Sequence, residues 1–214
     1  MKFFRFGILA FLVFFQISSF AQGDHLLNQT EVERVNKGVL KMNAETNSIS
    51  SEFKQIKNIS FLAEKVESTG LFYFQKEDKI RWEYKEPTPY IIVINNERIY
   101  IDNNREKKSF DTNSGKGFKT LNKMIIKCMD GSISKDPDYE VKYYSSDSGY
   151  RISLIPKSKN LKTFVKEINL FLDGTDFTVG SIKLLESEAG DYTFIQFENK
   201  RYNQQIDPSV FSGF

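Results

Sequence analysis

Reactive side chains are scarce in this chain. Among 214 residues there are one Cys, one His and one Trp, with 5 Pro and 12 Gly. A lone Cys, Cys128, excludes an intramolecular disulfide. It lies between Lys127 and Met129 in an apolar stretch, which fits a small buried hydrophobe better than a reactive thiol. A lone His, His25, leaves no His/Cys pair with zinc spacing. It stands four residues beyond the cleavage site argued below, in a stretch expected to be mobile, so a Ser/His/Asp or Cys/His arrangement has no positioned base. No G-x-S-x-G occurs, and Gly115-Lys116-Gly117 lacks the four-residue gap of a phosphate loop. Asp136 and Asp138 flank Pro137 without a Gly-anchored calcium loop and read as a solvated turn. No catalytic residue, metal site or cofactor is expected.

An excess of one charge is also missing. The chain holds 30 Lys and Arg against 28 Asp and Glu, and Lys2 and Arg5 account for the difference. Beyond residue 21 the two signs balance, which leaves no electrostatic footprint for nucleic acid or an anionic membrane. Long apolar runs are limited to Phe6 to Phe15, too short to span a bilayer. That run follows the basic stretch Met1–Arg5 and precedes Ser19-Phe20-Ala21, with small residues three and one positions before the cut. This is the pattern of an export signal, residues 1–21, cleaved after Ala21. Residue 22 is Gln rather than Cys, so no acyl anchor is expected, and the exported chain should be free in the periplasm. Residues 22–214 contain no Pro/Ser-rich linker, charge block or exact repeat, as expected of one domain.

What the chain does have is periodicity. Leu26, Leu27, Val32, Val35, Val39, Leu40 and Met42 approximate a 3.6-residue repeat and predict a helix over 26–46. From Ser48 the period changes to two. The cleanest alternation is Lys79-Ile80-Arg81-Trp82-Glu83-Tyr84-Lys85, with Ile80, Trp82 and Tyr84 on one face. Arg81, Glu83 and Lys85 on the other face read as a solvated surface. Tyr90–Ile94 and Arg98–Asp102 form a hairpin across Asn95-Asn96, and strands follow at 139–144, 150–155, 163–172, 178–186 and 192–199. Residues 118–130 carry Phe118, Leu121, Met124, Ile125, Cys128 and Met129 on one stripe and predict a second helix, ended by Gly131. Residues 200–214 have no clear period. About ten strands in a meander imply an open antiparallel sheet or barrel whose apolar face the two helices cover.

The order of several motifs resembles the LolA family of outer-membrane lipoprotein carriers. Phe53-x-Gln55 is followed by Gly70-x-Phe72-Tyr73-Phe74-Gln75-Lys76 and by Asp78-Lys79-Ile80-Arg81-Trp82-Glu83-Tyr84-x-x-Pro87. The likeness continues through the hairpin at 92–102, the apolar helix at 118–130, Tyr150–Lys157, Ile168-x-Leu170-x-Leu172-Asp173-Gly174 and Ile206-Asp207-x-Ser209-x-Phe211. The resemblance implies a mainly β chain with helices (α+β), an incomplete, strongly curved antiparallel barrel under a helical lid. It implies a soluble, monomeric carrier and not an enzyme. Triacylated lipoproteins would be the cargo, loaded by an inner-membrane lipoprotein-releasing transporter and unloaded by an outer-membrane receptor. Carried over by position, Ile80, Trp82, Tyr84, Ile92 and Ile94 would line the acyl-chain cavity. Phe118, Leu121, Met124 and Ile125 would face them from the lid, and Lys76 would stand where a basic residue latches the lid. A receptor-type member of the same system, and an envelope module that binds a small lipid or a protein, are the alternatives.

Overall fold

The structure, a computed structural model, describes residues 24–62, 64–77, 79–95, 98–111, 127, 132–186 and 190–213. The expected lid residues Phe118, Leu121, Met124 and Ile125, and Cys128, lie outside the described residues.

Among the described residues one helix, α1 (Gln29–Glu45), precedes eleven strands. These are β1 (Ser48–Asn58), β2 (Val66–Gln75), β3 (Lys79–Glu86), β4 (Tyr90–Asn95), β5 (Arg98–Asp102), β6 (Lys107–Asp111), β7 (Tyr139–Ser146), β8 (Gly149–Pro156), β9 (Glu167–Asp173), β10 (Val179–Leu185) and β11 (Tyr192–Tyr202). The strand expected at 163–172 begins only at Glu167, and a one-turn helix at Lys159–Lys162 precedes it.

All eleven strands form one antiparallel sheet in the order β6-β5-β4-β3-β2-β1-β11-β10-β9-β8-β7. It is two meanders joined where β1 pairs with β11, so the first and last strands of the domain lie at its centre. The edges are β6 and β7, and the chain between them runs through 112–138. Edge strand β6 is short and carries exposed Lys107 and Lys108, which discourage pairing with another chain.

The sheet is strongly curled. A flat sheet would set β3 and β11, three spacings apart, roughly 14 Å from each other. Yet the Trp82 and Phe197 rings of those strands have centroids 6.0 Å apart. The inner face is apolar along nearly its whole width. Phe110, Ile99, Ile94, Ile80, Phe74 and Ile49 stand opposite one another across six strands, and Ile195, Ile182, Leu170, Ile152 and Tyr143 do so across the other five.

Helix α1 covers part of this face with Val35 and Val39 buried. It begins at Gln29 rather than Leu26, because Asn28 forms a capping box with Glu31. The residues before the cap are used differently. Leu26 bridges Tyr144 of edge strand β7, the His25 carbonyl accepts from Ser145 N, and Arg151 Nε reaches Asp24 Oδ2 at 2.7 Å. The stretch around His25 is therefore held against an edge rather than loose.

Candidate functional site

The five expected wall residues lie on adjacent strands with their side chains on one face. In the β3–β4 ladder, Ile80 stands opposite Ile94, Trp82 opposite Ile92, and Tyr84 opposite Tyr90. Ile80, Trp82, Tyr84 and Ile94 are buried and Ile92 is half-buried. Trp82 sits in an aromatic cluster, 4.6 Å from the Phe72 ring and 5.0 Å from Phe53. Tyr84 stacks on Tyr90 at 4.0 Å and donates to Gln55 Oε1 at 3.0 Å. Burial pushes its hydroxyl well above the ordinary tyrosine pKa. Gly70 stands opposite Tyr84 and leaves room for Phe53, since a Cβ there would lie 2.8 Å from that ring.

The enclosed free space on the inner face lies beside this cluster, beneath the C-terminal half of α1. Val39 and Met42 of α1 roof it, and Ile49, Phe72 and Phe197 floor it. Its volume is about 20 Å³, little more than one water requires. Small-molecule pockets typically run to about 300–1,000 Å³. Among the described residues, side chains thus nearly fill this space beneath α1.

Three residues with polar side chains line the same space, Ser51, Lys200 and Tyr202. Sequence alternation carried no sign of Lys200, because a bulge puts it there. In the β1–β11 ladder Ser50 pairs with Arg201 and Glu52 with Glu198, which leaves Ser51 opposite both Asn199 and Lys200. Asn199 takes a left-handed conformation, φ 52°, that Asn tolerates better than most residues. Burial pushes the Lys200 pKa below the ordinary lysine value, with Asp176 and Asp173 opposing that shift.

Phe177 closes the outer side. Its backbone is left-handed, φ 60°, unusual for a bulky residue. Its ring stacks on Tyr150 at 5.7 Å and 6° and packs against Gly38 of α1. Outside it an open cleft of about 380 Å³ runs between α1 and Thr175–Thr178, with Tyr202 and Asn203 at its base.

Lys76 donates from Nζ to the Ala44 carbonyl at the end of α1, 3.2 Å away. A second ammonium contact involves the one described residue of the 118–130 segment, Lys127, whose Nζ lies 2.5 Å from Asp136 Oδ2. Asp136 is buried rather than part of a solvated turn. Burial pushes its carboxyl up, but Lys127 and the Asp138 N–H hold it below the usual value.

The outer face of β3 also departs from expectation. Arg81 and Glu83 have side chains only 18% exposed. The aperiodic tail crosses them: Arg81 Nη1 donates to the Val210 carbonyl, Asn95 Nδ2 donates to the Phe211 carbonyl at 3.0 Å, and Phe211 is buried. Among the described residues no group of three or more His, Cys, Asp or Glu could hold a metal, and no helix is long and apolar enough to cross a membrane.

The sequence profile of the family described as "Outer membrane lipoprotein carrier protein LolA" matches residues 44–213. The chain belongs to the LolA family. This family is one of carrier proteins, and the match spans every strand described above. An outer-membrane lipoprotein carrier protein of Methylococcus capsulatus is 23% identical over 165 residues, 77% of this chain and 76% of that protein. Among solved LolA-like folds, an uncharacterized conserved protein of Thermus thermophilus aligns with TM-score 0.51 and 9% identity, covering 84% of this chain and 92% of its own. A chain of the Pseudomonas aeruginosa MucA/MucB complex aligns with TM-score 0.51 and 13% identity, covering 84% of this chain and 61% of that one. At these identities the structures establish the shared fold alone.

Proposed function

We propose that this protein is an exported periplasmic carrier, cut after Ala21, that takes lipoprotein acyl chains against its inner face and shuttles them from the inner to the outer membrane. Membership of the LolA family, together with a continuous apolar inner face under a helix, supports this reading. Ile80, Trp82, Tyr84, Ile92 and Ile94 serve as wall, residues 118–130 as lid and Lys76 as an anchor for the cover. An inner-membrane transporter loads the carrier and an outer-membrane receptor unloads it.

The nearly filled space beneath α1 suits a carrier. Burying a CH₂ contributes ~0.8 kcal/mol, so a ~16-carbon chain contributes on the order of 10 kcal/mol, too much for ready delivery. A closed state in which the protein fills its own cavity competes with cargo and lowers that affinity.

Mass spectrometry of the protein purified from its native periplasm tests the reading. Co-purifying triacylated lipoprotein supports it. The same nearly filled space favours a second reading, an envelope interaction module whose core never opens. Recovery of a protein partner with no acylated molecule supports that reading and overturns the first.

A further inference from the structure

The polar end of the enclosed space is unlike its walls. Strict alternation would send Asn199 inward after Phe197 and leave Lys200 outside. The bulge reverses them: Asn199 donates to Glu52 Oε2 at 3.1 Å, and Lys200 is turned in. Its ammonium donates to Thr178 Oγ1 at 2.8 Å and to the Val179 carbonyl at 3.1 Å. Both partners are neutral, and an ammonium has three donors. Asp173 and Asp176 act on the ammonium through their charge, but their hydrogen bonds are to backbone N–H groups. Asp173 accepts from the N–H groups of Thr175 and Asp176, and Asp176 accepts from that of Thr178.

Ser51 supplies the second observation. It is 6% exposed, and its Oγ is buried with no hydrogen-bond partner. Folded proteins satisfy nearly all such groups, and an orphan marks a place where something binds or strain is held. A cation with a donor to spare and an unpartnered hydroxyl thus share the end of an apolar space.

We propose that Lys200 and Ser51 form a head-group subsite for an anionic amphiphile, an acyl chain joined to a carboxylate or a phosphate. The proposal rests on the reading that this space takes acyl chains and narrows what it takes. The tail lies along Val39, Met42, Phe72 and Phe197, and the charged oxygens are received by the Lys200 ammonium and the Ser51 hydroxyl. Admission requires Phe177 to leave its seat against Gly38, because the closed space is too small for a chain.

The exported protein is titrated with palmitate, palmitoyl-glycerol-3-phosphate and uncharged monopalmitoylglycerol, each below its micelle-forming concentration. Fluorescence of Trp82, the sole Trp, reports binding because its ring lies 4.6 Å from Phe72 of the lining. At least one anion should bind about tenfold or more tighter than the neutral amphiphile, the scale of a hydrogen bond to a charged group. Preference for palmitate identifies a carboxylate head, and preference for the phosphate identifies a phospholipid-type head. Lys200→Met should abolish the preference and Lys200→Arg should keep it, with unfolding midpoints showing that both variants fold. Equal affinity for all three amphiphiles, or a preference that survives Lys200→Met, overturns the subsite and leaves the acyl-chain reading standing. Failure of all three to bind overturns both.

Discussion

Gly38 offers a direct test of how α1 is seated on the sheet. A Cβ at this position would stand 2.3 Å from Phe177 Cδ2 and 2.5 Å from Cε2 and Cγ. Ordinary contact begins at 3.4 Å, so ring or helix must give by 1.1 Å, the difference of 3.4 and 2.3. Two effects compete in Gly38→Ala. Ala is the better helix former, by roughly 0.5–1 kcal/mol in a helix interior. Overpacking costs roughly 1–3 kcal/mol, because the Phe177 ring is also held by its stack on Tyr150. The clash should win, for a net loss of about 0–2.5 kcal/mol. A double-mutant cycle separates the two effects. In a Phe177→Ala background the obstruction is gone, and Gly38→Ala should stabilise by about 0.5–1 kcal/mol. The sign of the substitution therefore reverses with its background. Urea unfolding of the four proteins, followed by far-ultraviolet circular dichroism, measures this. If Gly38→Ala has the same effect in both backgrounds, the ring does not sit where described, and Phe177 does not close the space beneath α1.

Trp82→Ala should cost about 3–5 kcal/mol, and Leu154→Ala, in the other half of the sheet, about 2–5 kcal/mol. If Trp82 is cavity wall, transfer of a labelled lipoprotein from transporter-bearing vesicles should suffer more from its loss than from Leu154→Ala at equal stability. Loss in strict proportion to stability would make Trp82 ordinary core. Glu83 should contribute to acid stability. Burial pushes its carboxyl up, but Lys85 and Arg81 hold it below the ordinary 4.5. Its folded value is the depressed one, so its stabilisation is present above 4.5 and is lost as pH falls through that folded value. Glu83→Gln should therefore flatten the acid limb of stability against pH, and an unchanged limb would show that the pairing contributes nothing. N-terminal sequencing of the exported protein should begin at Gln22, and an intact Met1 in the membrane fraction would refute the signal reading.

Local pattern was enough to place most of the described strands and to assign the faces of the clearest one. Period-two alternation at 79–85 announces a strand because neighbouring side chains point to opposite faces, a property of consecutive residues alone. That Ile80, Trp82 and Tyr84 share an apolar face was legible for that reason, and the register of β3 and β4 sets Ile94 opposite Ile80 and Ile92 opposite Trp82. Motif order extended this to the family. Features that depend on partners far along the chain emerged only from the folded arrangement. The β1–β11 pairing that centres the sheet joins residues such as Phe53 and Phe197, whose sequences carry no mark of each other. Arg81 and Glu83 read as solvated because the tail that covers them has no period of its own, being held by carbonyl contacts and one buried ring. The charged end of the inner cavity was least legible of all. A bulge is one extra residue measured against the opposite strand, and only pairing with Ser51 reveals that Asn199 turns out and Lys200 turns in.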